Sequence, residues 1–253
     1  MSRDFSLASA PDDLFAQIPV GAPGGPRAGL SLALAGDMSF SLRAELPWRS
    51  RFLQSIGANP RSTFALRQIH SRTVLVIDSH MPEDLVAFEA DGMVSARPDA
   101  ILTVTVADCI PVFLVDSAHR AYGIVHSGWK GTGIVREALR LMSAAFGTQA
   151  ADVAAALGPG IGPCCYRVPR ERYERFRADF GSRAVVRGGA SDDYRLDLRQ
   201  ANVDLLMEAG VRDISVCADC TSCSKLLGSF RRQGPQSFTR MLAFIGHLPE
   251  APA

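Results

Sequence analysis

The chain has 253 residues, of which 47% are hydrophobic and 21% charged, enough apolar material for a substantial core in an ordinary folded protein. Basic and acidic residues nearly cancel, 27 against 26, which argues against wholesale electrostatic binding of nucleic acid. Only Lys130 and Lys225 are lysines, so the basic side is almost entirely arginine, a skew that says nothing by itself about phosphate. Five histidines and six cysteines are too few for a large multi-metal enzyme.

Residues 1–28 are rich in Gly and Pro without a sustained period, and read as an irregular lead-in or an edge-strand region ahead of a single domain over 29–253. They lack the continuous apolar core of a secretory signal, which predicts a cytoplasmic protein with its cysteines reduced. TFALRQIH and TVLVID, from Thr63 onward, read as a strand pair. A turn-rich stretch over 79–100 follows, containing Asp91-Gly92. Then ILTVTVAD, PVFLVD and YGIVHS predict three consecutive strands at the buried centre of a sheet. The stretch from Ala100 to Val115 is broken by Asp108 and Pro111 and falls short of the roughly 20 apolar residues that span a bilayer, so no membrane segment is expected.

After GWKGTG the period becomes helical, with Ile134, Ala138, Leu141, Met142 and Ala145 on one face up to about Gly147. A strand at VAAALG, the turn GPGIGPCC, helices over about 169–180 and 198–209, the strand ISVCAD and a last strand over about 241–245 complete the chain. The alternation predicts a mixed α/β (α+β) fold without internal repeats.

Three chemically active residues stand at strand ends: His70 in RQIHS, Cys109 in VADCIP and His126 in VHSGWKG. Two imidazoles and a thiolate suit tetrahedral zinc with one position left open, the pattern of a catalytic ion. Asp108, beside the thiolate, is placed to orient a ligand. Scattered core residues are the competing reading of the same spacing. Cys217, Cys220 and Cys223 have the spacing of a metal knuckle, yet no nearby histidine completes four ligands, so they read as buried or turn-associated thiols. Cys164 and Cys165 are adjacent and poorly placed to bond each other. His80 and His119 sit in polar turns.

Gln68-Ile69-His70-Ser71, Ala107-Asp108-Cys109-Ile110-Pro111, His126 through Thr132, Gly158-Pro159-Gly160-Ile161-Gly162, Cys165-Tyr166 and Ser229-Phe230-Arg231-Arg232 together resemble the YfiH/laccase-domain family, in its order, from about residue 40 to 246. Members were formerly called multicopper polyphenol oxidases and are now regarded as zinc-dependent purine nucleoside phosphorylases. The resemblance implies an α/β/α sandwich-like domain with a mixed central sheet. It further implies a catalytic zinc on His70, Cys109 and His126, and phosphorolysis of adenosine, inosine, guanosine or methylthioadenosine, with adenosine deamination in some members. The family's upstream substrate arginine corresponds to Arg49, with Arg51 as competitor, and Arg231 is expected to add charge near the pocket. Departures fall around the rim: AGLSLALAGDM replaces a Leu-Asn-Leu motif, Tyr166-Arg167 reverses a charge, and Thr239 stands where a glycine precedes Arg240.

The expected function is therefore zinc-assisted phosphorolysis, with purine nucleosides and inorganic phosphate as partners and neither nucleic acid nor membrane. Two other readings use the same residues. In one, Cys109 is a nucleophile with His126 or His70 as base, cleaving an amide in a peptidoglycan precursor. In the other, the two histidines and the cysteine hold copper for polyphenol oxidation; copper is there expected only as an adventitious replacement for zinc.

Overall fold

Two stacked sheets carry the molecule, in a computed structural model that describes residues 2–7, 13–39, 47–79, 81, 88–118 and 120–248. His80 and His119 lie outside the described residues. The larger sheet has seven strands and is built around Ile110–Asp116 (β8) and Ala121–Ser127 (β9), an antiparallel hairpin in which every residue is buried. Val153–Leu157 (β10), Asp213–Cys217 (β13) and Arg3–Phe5 (β1) extend it on the β8 side. Gly92–Ser95 (β6) and Val74–Ile77 (β5) extend it on the β9 side. The smaller sheet runs Phe15–Ile18 (β2), Arg27–Ser31 (β3), Met241–Gly246 (β14), Ile101–Val106 (β7) and Thr63–Phe64 (β4). Val185–Arg187 (β11) and Tyr194–Leu196 (β12) form a separate pair.

A strand covered on both faces reads as a continuous apolar run, and β8 shows how its two faces are used. Ile110, Val112 and Leu114 point into one core with the helices Ile134–Phe146 (α2), Arg170–Phe180 (α3) and Leu198–Glu208 (α4). Phe113 and Val115 point the other way, into a second core shared with Leu30, Leu102, Val104 and Ala243 of the smaller sheet. Over the far side of that sheet, Pro47–Ser55 (α1) packs Phe52 against Ile101, Leu242 and Phe244. The layers therefore run helix, sheet, sheet, helix. The mixed α/β class stands, but the single central sheet of the expected sandwich is two sheets.

Local periodicity found α2, α3 and α4 to within a residue or two. On α2 the buried face is Ile134, Val135, Ala138, Leu139 and Met142, with Ala145 turned to solvent. Other expectations change. The lead-in over 1–28 is not simply irregular: β1 and β2 are edge strands of the two sheets, and β3 begins at Arg27. β4 and β5 do not pair with each other. β4 joins β7 in the smaller sheet and β5 joins β6 in the larger. Likewise β7 belongs to the smaller sheet while β8 and β9 centre the larger one.

Candidate metal centre and cleft

The chain passes from the smaller to the larger sheet at two points near each other, and each crossing carries one reactive residue. Between β7 and β8 the crossing is Ala107-Asp108-Cys109; between β4 and β5 it includes His70. Asp108 and His70 have φ of 85° and 62°, a region that non-glycine residues occupy only when neighbours hold them there. Asp108 is held by its own side chain, which accepts bonds from Thr221 Oγ1 and the Arg231 backbone N–H, both at 2.6 Å. Its carbonyl accepts from the Ile161 N–H at 2.8 Å. Asp108 thus braces the turn that presents Cys109, through the chain around it rather than through a histidine.

The His70 crossing is held by Asp91, just before β6 and fully buried. Its carboxylate accepts from the backbone N–H groups of Ile69 at 3.2 Å, His70 at 3.0 Å and Ser71 at 2.6 Å, and from Ser71 Oγ at 2.7 Å. The same carboxylate lies 2.9 Å from Nδ1 of His126 at the end of β9. An ionised carboxylate can only accept, so Nδ1 carries the proton and Nε2 is free to bind a cation. Burial alone would raise the Asp91 pKa, but the bonds from His126 and Ser71 outweigh it and hold the carboxyl below its ordinary value.

These restraints bring His70, Cys109 and His126 together, with ligand atoms all within 4.8 Å of one another and the imidazole centroids 4.8 Å apart. Burial pushes the Cys109 thiol up, yet the two imidazoles overcome it and bring it down to about 6. Burial pushes His126 down, yet the Cys109 sulfur and Asp91 raise it to about 10. Gly128 is required beside them: a Cβ there would come within 2.6 Å of Cys109 Sγ. Two nitrogens, a thiolate and a carboxylate behind one imidazole fit a three-donor metal site.

The three residues line a cleft of about 570 Å³. One wall is aromatic: Phe230 and Phe238 meet edge to face at 5.0 Å, with the Arg240 guanidinium 4.1 Å from the Phe238 ring. Arg231 lies over Tyr166 at 5.4 Å, its guanidinium bonded to the carbonyls of Cys165 and Arg167. On the opposite side Arg172 and Lys130 stand over Trp129 at 4.4 and 5.7 Å. A smaller pocket of about 210 Å³ shares Trp129, Lys130 and Arg172 and adds Arg72 and Arg175, against the single carboxylate of Asp179.

Among the residues singled out from sequence, Arg231 lines the cleft and Arg49 does not. Arg49 is buried on α1, bonded to the Met38 carbonyl at 3.3 Å and Thr103 Oγ1 at 3.0 Å. Burial lowers its pKa to about 10. Arg51 is exposed and sits by the Trp48 ring. The reversed charge at Arg167 points to Asp193 at 3.2 Å, and the cleft receives only its carbonyl's effect on Arg231. Asp91, Arg172 and Phe238 escaped notice: Asp91-Gly92 reads as a turn, and nothing local says which helix or loop faces the ligands. Cys217 is buried beside Asp219, whereas Cys220 and Cys223 gather with Cys164 and Cys165. Two turns remote in sequence thus bring four cysteines together, two from each.

A three-donor centre open to a cleft is the arrangement of a metal-dependent enzyme rather than of a purely structural ion. The sequence model of the multi-copper polyphenol oxidoreductase laccase family matches residues 41–247, and the chain belongs to that family. A protein of Clostridium acetobutylicum named purine nucleoside phosphorylase is 33% identical over 191 residues, 74% of this chain and 78% of that one. One of Deinococcus radiodurans with the same name is 33% identical, over 89% of this chain and 85% of that protein. The match to purine nucleoside phosphorylase YlmD of Geobacillus stearothermophilus is 34% identical, over 63% of this chain and 61% of YlmD. The crystal structure of YlmD superposes with a TM-score of 0.83 at 27% identity, covering 95% of this chain and 98% of that one. That of YfiH from Bacillus licheniformis gives 0.78 at 27% identity, covering 87% and 92%. Among the described residues no helix is long and apolar enough to cross a membrane.

Proposed function

We propose that the protein is a zinc-dependent purine nucleoside phosphorylase acting on adenosine, inosine, guanosine and methylthioadenosine, with adenosine deamination as a secondary activity. The observation that carries this reading is the convergence of His70, Cys109 and His126 on the floor of a cleft with aromatic and cationic walls. Relatives named for the same activity support it. Bound on those three residues, zinc supplies a Lewis acid that polarises an oxygen of substrate or water. Asp91 fixes the His126 tautomer and the His70 turn. Phe230 and Phe238 offer ring faces to the purine. Arg231 and Arg240, with Lys130 and Arg172 opposite, hold the attacking phosphate by charge and fork-shaped hydrogen bonding. Phosphate oxygen bonds to the ribose anomeric carbon as the bond to the base nitrogen breaks, yielding ribose 1-phosphate and free base. Arg49 supports this wall from behind, through Thr103 of the strand whose Thr105 lines the cleft.

The test is product analysis on zinc-quantified protein with each of the four nucleosides, with and without phosphate. Base release that requires phosphate and disappears in Cys109→Ala is expected, and inosine from adenosine reports deamination. Fully zinc-loaded protein that frees no base from any of them overturns the reading.

One observation favours the amide-cleaving alternative, namely the proximity of the Cys109 sulfur to the imidazoles of His126 and His70, which hold the thiol below its ordinary value as they would for a cysteine nucleophile. Zinc and nucleophile compete for one sulfur. Slow alkylation of Cys109 in zinc-loaded protein, fast only after chelation, is the result expected of the phosphorylase.

A further inference from the structure

Outside the cleft floor, the described residues contain one other convergence of metal-binding side chains. Cys164 and Cys165 end the turn that follows β10; Cys220 and Cys223 lie on the turn that follows β13. Their four sulfurs are all within 4.8 Å of one another, with Cys164 and Cys223 at 3.8 Å and Cys165 and Cys223 at 3.4 Å. Zinc–sulfur bonds of about 2.3 Å in a tetrahedron place neighbouring sulfurs about 3.8 Å apart. The cluster is thus already near the size of an occupied site.

We propose that Cys164, Cys165, Cys220 and Cys223 bind a second zinc ion, a closed four-thiolate site that rivets the turn lining the cleft through Ile161 and Tyr166 to the turn that holds Asp108 through Thr221. The backbone is arranged for thiolates. The Gly162 N–H donates to Cys220 Sγ at 3.2 Å, a bond that a neutral disulfide sulfur would not need. Both turns are wound tightly at the ligands: Cys165 and Tyr166 donate to the Gly162 carbonyl, and Cys223 and Ser224 to that of Cys220. Four thiolates around a divalent ion leave the centre doubly negative, and three arginines stand beside it, of which Arg195 is shared with the Asp193 carboxylate. Arg195 bonds the Cys164 carbonyl and Arg231 that of Cys165. Arg199 is closer still: a Cβ built on Gly162 would meet its Nη2 at 2.5 Å and Cys164 Sγ at 3.2 Å. Arg199 Nε is buried without a hydrogen-bond partner, an arginine otherwise held by the Cys217 carbonyl and no carboxylate. Pairing into disulfides would ask only for sulfurs two by two. Mutual proximity of all four is what a single central ion requires.

The position gives the ion a purpose. The first turn carries Ile161 and Tyr166 into the cleft. The second carries Thr221, which bonds Asp108 beside Cys109, and whose carbonyl receives Arg232. Apart from the sulfurs, the turns meet through the Gly160 and Cys220 bridge, the bond from Thr221 N–H to the Gly160 carbonyl at 3.2 Å and that from the Gly162 N–H to Cys220 Sγ. An ion there fixes the wall that presents Tyr166 and the Arg231 backbone.

The experiment counts zinc per chain in protein purified without oxygen and records the cobalt-substituted spectrum. Two ions are expected in the wild type, one in Cys220→Ser/Cys223→Ser and one in Cys109→Ala, the last losing only the cleft ion. Cobalt-loaded Cys109→Ala should show intense sulfur-to-metal charge transfer and the visible bands of a tetrahedral four-thiolate ion. Zinc-free Cys109→Ala, or peptide mapping that finds a disulfide among the four cysteines of the unreduced wild type, overturns the proposal. Should the double variant fail to fold, the Cys109→Ala count and spectrum decide alone. Because that variant has no cleft ion, the result stands apart from whether the protein is a phosphorylase.

Discussion

At the scale of single residues, Asp91 carries more of the centre than any ligand does. One carboxylate fixes the turn under His70 and the tautomer of His126, so two ligands share one support. Asp91→Asn keeps the volume but turns an amide NH₂ toward groups that also donate. It should weaken zinc binding about 10–100-fold, read by competition with a chromophoric chelator, with the circular dichroism spectrum unchanged. In the proposed reaction Phe230 serves the substrate rather than the metal. It is 46% exposed at the mouth of the cleft, and base stacking on an aromatic ring is worth about 1–3 kcal/mol. Phe230→Ala should therefore raise KM for the nucleoside about tenfold with little change in kcat and none in zinc content. The convergence of His70, Cys109 and His126 was legible because each is a reactive residue at a strand end or turn. Asp91 was not, because a buried carboxylate that accepts from distant backbone looks in sequence like half of a turn. The burial of Arg49 was not legible for a related reason: a helix that buries an arginine against Thr103 has the same sequence as one that exposes it.

At the scale of elements, β8 joins the two cores, and its side chains alternate between them. Leu114 is fully buried beneath the helices, so Leu114→Ala should cost about 2–5 kcal/mol, measured as a lower urea midpoint at an unchanged slope. The helices were readable because amphipathic period is a local property. Strand partnership is not: Thr63-Phe64 and Val74–Ile77 are neighbours in sequence and belong to different sheets. The crossing at Ala107 to Cys109 falls at the break that Asp108 and Pro111 make in the apolar run, but that the strands on either side enter different sheets is marked only by the positive φ of Asp108 and its bonds to Thr221 and Arg231. Those partners lie more than a hundred residues away, beyond any local pattern. The four-cysteine cluster was hidden in the same way, since its halves come from turns after different strands.

At the scale of the whole molecule, metal binding should be visible as stability. An ion that binds only the folded state, present at a hundred times its dissociation constant, adds about 2.7 kcal/mol. For a chain of this size that is a fall in Tm of roughly 5–10 °C on chelation, followed by differential scanning with and without EDTA and reversed by added zinc. In Cys109→Ala a smaller fall on chelation is expected, from the second ion.

The donors of the cleft come from two crossings that bridge the stacked sheets, while the third sits on the larger sheet alone. Their spacing is therefore tied to the gap between layers, which Phe113, Tyr122 and Leu102 help to fill. Changing that filling by a methyl group or two would widen or narrow the grip on the ion without touching a ligand. Ion preference, ordinarily ascribed to the chemistry of the coordinating atoms, is in this architecture also a property of the hydrophobic interior.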